Sequence, residues 1–429
     1  MLAGRGKFAQ AAMAGLLLFI AALALALHIA ACLMVALRRC WPRRAMSGES
    51  RRCQGARPGI TLLCPLNAAG GGKEVGGAAG GAASARGQSL RAAFAEAWRP
   101  KEIILCADGL NLLDLSDIRA VREEHEALPS LLIMADERRP AKGQSSAAAG
   151  PGLAGALAKG FKAARYDRVA IAPLGALLPA DYLARFLSRE DRLRRRAAAG
   201  FAAGAAALIC APLWAVKPCG LKARLRAAFL NSWRARRLSL ADSLGAGIAE
   251  MGANAGAPPE AAANAAAALA QSAALFSYDI LSRAGGIDAF MRRAAEQGAA
   301  AAATELARAE GGKICLTARP LPLAAAQIAA GPLLAGELAW LRYYRRFLPG
   351  FFAAELLLSP LLPFLAMAGA GGLGAASLGA LPVFIALWYG AEISFCALWG
   401  AGGSLLNYAF LPARDALLPF LWLAAALKK

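Results

Sequence analysis

Short apolar runs that can form buried strands recur through residues 55–330, and in such a sheet chemistry gathers beyond the carboxyl ends of the strands. Two of those ends differ sharply. The run EIILCAD (102–108) finishes on Asp108, whose simplest role is to cap the strand end. The run RVAIAPL (168–174) opens into Pro173, Leu174 and Gly175, a turn with no polar side chain where a ligand is expected. Other residue types narrow the chemistry. Nine cysteines lie scattered without a CxxC pair and the only histidines are His28 and His125, so a Cys/His zinc site is not expected. Cys64, Cys106 and Cys315 sit inside apolar runs, where a free thiol acts as a small hydrophobe. Lys73 is followed by Glu74, so the glycine-rich stretch 68–87 is not a GxxxxGK[ST] phosphate loop and reads as a flexible loop. GPGLAG (150–155) matches GxGxxG by spacing, but a loop parts it from the run ending near Asp136, and no acid closes the next strand. It does not meet the needs of a dinucleotide site.

These ends must be positioned by a sheet. The apolar runs 60–66, 102–108, 130–136, 168–174, 206–214 and 313–318 alternate with helical patterns at 89–98, 116–128, 152–166 and 181–199. Ser116 or Asp117 is the expected N-cap of the second helix. Continuous apolar strands alternating with helices predict a parallel sheet covered on both faces, a Rossmann-like α/β domain. The stretch 245–274 carries little pattern, and Pro258–Pro259 excludes one unbroken helix there.

The ends of the chain are different. Overall the sequence is 58% hydrophobic, with a mean hydropathy of +0.45. Residues 8–37 hold no Asp, Glu, Lys or Arg, long enough to span a bilayer, which takes ~20 apolar residues. This is longer than the apolar core of a signal peptide and predicts a retained anchor. Further spans are expected at about 347–370, 378–401 and 408–427, with Glu355, Glu392, Arg414 and Asp415 in or beside them. Each of these ionisable groups must face protein or water, or mark a segment that does not fully cross. The expected organisation is an anchor at 1–45, an α/β domain at 55–330, an interfacial segment at 331–347 and two or three spans at 347–429. Arginines at 38–57 outweigh Arg5 and Lys7, which places the α/β domain on the cytoplasmic side of an inner or cytoplasmic membrane. A net charge of +20 beside a membrane points to anionic headgroups; no nucleic-acid module is present to make it a nucleic-acid partner. GLKARLRAAFLNSWRARR (220–237) sets Leu221, Leu225, Phe229 and Trp233 on one stripe, which fits a helix on the membrane surface or a core-facing one.

The order of these parts resembles the ceramide glucosyltransferase-like enzymes of glycosyltransferase family 21, which include hopanoid-biosynthesis glycosyltransferases. The likeness lies in one N-terminal span, PGITLLCPL (58–66), EIILCADGLN (102–111) and AARYDRVAIAPLGALLPADYL (163–183). It continues through CGLKARLRAAFLNSW (219–233), SRAGGIDAFMRRAAEQ (282–297) and a basic-aromatic segment feeding the last spans. The resemblance implies a GT-A domain flanked by transmembrane helices, moving a sugar from a nucleotide sugar to the hydroxyl of a sphingolipid or hopanoid. It also implies functional positions. Asp108 matches the nucleotide-binding aspartate. The D-x-D pair that holds Mg or Mn with a UDP-sugar falls on Pro173, Leu174 and Gly175, so no cofactor is evident from the residues present. The Glu-Asp pair falls on Glu296 and Gln297, or, counted back from KICLTA, on Ala299 and Ala300. Gln297 then stands where the base is usual, leaving Glu296 as the catalytic candidate. The Q-x-x-R-W segment falls on 336–340 and keeps only Trp340, a membrane-proximal residue.

Two readings stay open. A diverged enzyme would use Asp108 for the nucleotide and Glu296 or a neighbour as base. A catalytically inactive homologue would bind a lipid, a nucleotide sugar or a membrane enzyme partner as a scaffold. Loss of the metal pair, the base and the arginine removes groups that each contribute factors of ~10²–10⁴.

Overall fold

The computed structural model describes residues 2–40, 58–67, 79–108, 110, 112–135, 152–172, 175–198, 206–218, 220–236, 273–277, 281–282, 285–297, 306, 313–317, 320–324, 333–347, 349–372, 375–398 and 405–427. Its strands are β1 (Ile60–Asn67), β2 (Lys101–Asp108), β3 (Ser130–Met134), β4 (Arg168–Ile171), β5 (Ala206–Ala211), β6 (Leu213–Val216), β7 (Ala273–Ser277), β8 (Lys313–Leu316) and β9 (Leu321–Ala324). The first five helices are α1 (Leu2–Cys40), α2 (Ala79–Ala95), α3 (Leu112–Glu124), α4 (Gly152–Ala163) and α5 (Tyr182–Ala198). Then come α6 (Leu221–Ala228), continued by a π-helical turn (Phe229–Arg234), α7 (Gly286–Gln297) and α8 (Leu333–Phe347). The last are α9 (Pro349–Leu358), α10 (Leu361–Gly372), α11 (Ala375–Leu398), α12 (Leu405–Tyr408) and α13 (Leu411–Leu427). The chain forms two compact units, one of residues 42–219 and 244–331 and one of residues 1–41, 220–243 and 332–429. The helix at 220–236, which sequence order assigns to the α/β domain, thus groups with the apolar ends.

In the α/β unit seven strands run in the order β3-β2-β1-β4-β7-β5-β8. β1, β2, β3 and β4 are parallel neighbours, whereas β7 is antiparallel to both β4 and β5. The expected parallel sheet is therefore mixed. AALFS (273–277) escaped the sequence reading because it borders the alanine-rich stretch and carries no strand periodicity of its own. β1 and β2 are buried on both faces, with Leu62, Leu63 and Ile103 through Ala107 shielded from solvent. That explains their unbroken apolar sequences. Two further corrections follow. Residues 79–87, read as loop, are the first turns of α2, while 68–78 lie outside the described residues. α3 begins at Leu112, so Ser116 and Asp117 are interior to it and not its N-cap.

Two glycines fix close approaches in this unit. A β-carbon on Gly59 would lie 2.1 Å from the Tyr166 ring, and one on Gly160 would lie 2.7 Å from Cys106 Sγ. PGITLLCPL and AARYDRV, separate pieces of the family likeness, are thus packed directly on each other. Glu102 Oε1 ties the same corner together by accepting from Thr61 Oγ1 and the Arg165 amide, each at 2.5 Å.

Among the described residues, the helical unit contains three helices long and apolar enough to cross a membrane, Gln10–Met34, Ala380–Leu398 and Leu406–Leu427. The expected span at 347–370 is broken at Ser359–Pro360 into α9 and the first part of α10, each too short to cross alone. The ionisable groups of these segments face protein. Arg414 makes a bidentate pair with Glu392 at 2.7 and 3.0 Å, and its Nε donates to Asp415 Oδ1 at 2.7 Å. Tyr389 donates to Asp415 at 3.0 Å, and Arg236, from the segment after the π turn, reaches Glu392 at 3.4 Å. His28 Nδ1 lies 3.0 Å from Arg236 Nη1 and must accept, because a guanidinium only donates. Its Nε2 then carries the proton, directed at the Trp388 carbonyl 3.2 Å away. Two arginines and two carboxylates balance in charge, the condition for burying them in an apolar surround.

Candidate functional site

β1 separates β2 from β4, with Asn67 beside Asp108 and Leu63 beside Ile171. Asp108 and the turn after β4 therefore share the carboxyl edge of the sheet, ~10 Å apart by strand spacing. The Asp108 carboxylate accepts a hydrogen bond from the Leu153 amide at 3.2 Å, in the first turn of α4. It caps that helix, whose first amides and dipole favour an anion. GPGLAG thus does open a helix, and its N-terminus receives a side-chain carboxylate of the same chain.

The turn after β4 is held from several sides. Pro173 and Leu174 lie outside the described residues; Gly175 is buried at φ 75°, where glycine carries no steric penalty. The Ala172 amide donates to Leu63 O at 2.9 Å, and Tyr182 Oη donates to Ile171 O at 3.0 Å. Ser89 Oγ donates to Ala176 O at 2.6 Å, Ala176 bridges Leu323 of β9, and the Leu177 amide donates to Pro322 O at 2.9 Å. The residues described here do not fit a divalent cation. Gly175 and Ala176 offer only backbone, and the Ala176 carbonyl already accepts from Ser89. Among the described residues, no three His, Cys, Asp or Glu side chains converge as a metal centre needs.

At the amino end of β2 lies a buried pair that sequence reading missed. Lys101 Nζ donates to the carbonyls of Ala93 at 3.0 Å, Phe94 at 3.2 Å and Glu96, satisfying the open C-terminus of α2. It lies 3.6 Å from the Glu96 carboxylate, which also accepts from the Trp98 amide at 2.9 Å and the Leu183 amide at 3.3 Å. One carboxylate therefore joins the end of α2 to the start of α5. Burial lowers the Lys101 ammonium to about 8 against the attraction of Glu96, and burial raises Glu96 against its hydrogen bonds and Lys101. Burial also pushes the Cys64 thiol up to about 12 and raises Cys106 and Tyr182, so none of these is a nucleophile at neutral pH. The only signal of the pair in the sequence was a charged residue at each end of EAWRPK (96–101), which also suits a solvated loop.

Glu296 and Gln297 close α7; their side chains lie outside the described residues. α7 starts at left-handed Gly285 and Gly286, and Asp288 pairs with Lys162 of α4 at 2.5 Å. Ala299 and Ala300 also lie outside the described residues. Trp340 belongs to the helical unit, on α8. Arg234 lies over its ring at 5.0 Å and pairs with Glu337 through Nη2 at 2.8 Å and Nε at 3.0 Å. Sequence reading missed both Arg234 and Glu337, because their meeting depends on contact between two helices distant in the chain. The stripe expected on 220–237 is altered: Phe229 and Trp233 are buried, but Leu221 is 73% exposed. The π turn rotates the later residues, so Ser232 and Arg236 join the buried face.

No curated protein matches this sequence. Among solved structures, the chain is similar to mannosyltransferase PcManGT from Pyrobaculum calidifontis in complex with GDP-Man and Mn2+. The identity is 18%, covering 96% of this chain and 98% of that one, with a TM-score of 0.42. TarS 1–349 of S. aureus is similar at 9% identity over 84% of this chain and 91% of that one, with a TM-score of 0.34. The model of glycosyl transferase family 21 matches residues 259–429, from β7 through the last apolar helix. On that match, with a mixed α/β sheet and membrane-length helices in one chain, residues 259–429 resemble glycosyltransferase family 21.

Proposed function

We propose that the protein is a membrane-bound glycosyltransferase that takes a sugar from a nucleotide sugar and passes it to the hydroxyl of a membrane lipid. The observation that carries this is the family match, which runs through the apolar helices themselves. A transferase with that much apolar helix is suited to an acceptor that stays in the bilayer, such as a sphingolipid or a hopanoid. In the reaction the acceptor oxygen bonds to the anomeric carbon, and the bond from that carbon to the diphosphate breaks. The nucleoside diphosphate leaves with the electron pair, and the hydroxyl proton passes to a base. Asp108 at the strand edge is the proposed nucleotide ligand and Glu296 the proposed base, on the cytoplasmic side of an inner or cytoplasmic membrane.

The Asp108–Leu153 bond favours a second reading, a catalytically inactive homologue that serves as a scaffold for a lipid or an enzyme partner. A carboxylate engaged as a helix cap has a structural reason to be there. One experiment separates the two. The full chain in neutral detergent is titrated with several nucleotide sugars, with and without Mn²⁺ or Mg²⁺, and turnover is followed with lipid acceptors. The enzyme reading expects binding and transfer, both lost in Asp108→Asn. That variant keeps the capping oxygen, whereas Asp108→Ala also loses the cap, worth about 0.5–2 kcal/mol of stability. Absence of binding by every nucleotide sugar sinks the enzyme reading.

A further inference from the structure

We propose that Lys217, at the end of β6, supplies the positive charge that the turn after β4 cannot hold as a metal ion, its ammonium binding the diphosphate of the nucleotide sugar. This role rests on the proposed sugar transfer and names the group that meets the leaving charge. The bond from the anomeric carbon to the diphosphate breaks, and the electron pair stays on the diphosphate. A fixed cation is what stabilises that charge. Gly175 and Ala176 offer none, and among the described residues no three His, Cys, Asp or Glu side chains converge to hold a metal.

Strand register points to Lys217. β6 and β9 form a two-stranded parallel sheet, with Ala215 beside Leu323 and Val216 beside Ala324. On its other edge Leu323 bridges Ala176 in the antiparallel sense, and the Leu177 amide donates to Pro322 O at 2.9 Å. Gly175 is therefore level with Ala324 and Val216, and two strand spacings put it ~10 Å from Val216. Lys217 is the next residue, exposed, on a long flexible stem, and in the same unit as Gly175. Its place is fixed, because Trp214 and Ala215 just before it are each 3% exposed.

The backbone at Lys217 is a second, independent sign. With φ 49°, it is the one non-glycine residue among those described that takes a left-handed backbone. At Gly175, Gly220, Gly285 and Gly286 that region is filled by glycine, which carries no penalty there. A chain with 45 glycines instead carries a strained lysine at this position. Strain of this kind clusters at ligand clamps, where the side chain is its reason. Lys217 has a partner within the protein, but an ammonium has three protons to donate, so one contact does not exhaust it.

The full chain in uncharged detergent is titrated calorimetrically with UDP and with GDP, first in EDTA and then in Mn²⁺. One of the two is expected to bind equally well in both media. Lys217→Gly should weaken that binding about tenfold, as loss of a charge-assisted contact does, while the unfolding midpoint holds or rises because the strain is relieved. Lys217→Arg should recover most of the affinity, and Arg195→Gln, exposed on α5, should leave it unchanged. Binding that requires Mn²⁺, or Lys217→Gly binding as tightly as the unaltered protein, overturns this role and leaves the transferase reading standing. A lower midpoint with weaker binding in Lys217→Gly and no recovery in Lys217→Arg assigns the lysine to the fold alone and also overturns it. Absence of binding by every nucleotide in both media sinks the transferase reading and this role together.

Discussion

The two units invert the usual placement of polarity. At the carboxyl edge of the sheet, where chemistry calls for charged side chains, the residues after β4 are Pro173, Leu174 and Gly175, and the neighbouring Ala176 is held by Ser89 Oγ and a bridge to Leu323. Inside the helical unit, where a bilayer favours apolar groups, arginines, carboxylates and a histidine are buried together. The difference lies in what satisfies each group. Around the turn, Ala172, Ala176 and Leu177 are met by Leu63, Ser89 and Pro322, contacts that ask for no polar side chain at the turn itself. The buried network is matched charge for charge across α1, the segment after the π turn, α11 and α13. It therefore specifies how those helices meet, and no member can be lost alone.

The network is the place to break that contrast first. Glu392→Ala leaves Arg414 and Arg236 buried without their shared carboxylate and should cost roughly 3–5 kcal/mol, seen as a lower unfolding midpoint in detergent. Glu392→Leu, Asp415→Leu, Arg414→Leu and Arg236→Leu together should regain most of that loss, because the two arginines and two carboxylates then leave no charge unpaired. If the single change is silent, the network does not hold the unit together.

A smaller effect is expected at the corner of the α/β unit. Gly59→Ala drives a methyl group into the Tyr166 ring and should cost about 1–3 kcal/mol, as overpacking does. Tyr166→Ala in the same chain should relieve much of it, and simple additivity of the two losses would show that the packing is not shared.

The smallest effect tests the Lys101–Glu96 pair through pH. Because the folded Lys101 pKa is lowered to about 8 from 10.5, the unfolded chain binds more protons between those values. The contribution of Lys101 to stability therefore rises with pH across that window. Glu96 is raised, so its contribution is present at low pH and falls as pH climbs above 4.5. Comparing the unfolding of the protein with that of Lys101→Met from pH 7.5 to 10.5 isolates the first slope. A wild-type chain that gains nothing relative to the variant would exclude the buried ammonium.

Much of the α/β unit was legible before its structure was seen. β1, β2 and β4 declare themselves because strands buried on both faces must be apolar at every position, and helices α4 and α5 because they start and stop at marked residues. β7 and the first turns of α2 were not legible, since alanine and glycine carry no period and only neighbouring strands or helices decide their state. Of the candidate site, the sequence located the strand edge with Asp108 and the apolar turn after β4, because both adjoin strong strands. It could not show that Asp108 caps α4, that Glu96 spans α2 and α5, or that Arg234 lies on Trp340. Those contacts join residues from 45 to 106 positions apart.

Residue type alone determined the class of fold, the membrane-length segments and the basic balance, because these follow from hydrophobic period, run length and charge, which are local sums. Tertiary structure alone decided which unit the 220–236 helix joins and which charges are paired. A buried ion pair depends on the distance and direction of two side chains, and the order of residues along a chain fixes neither.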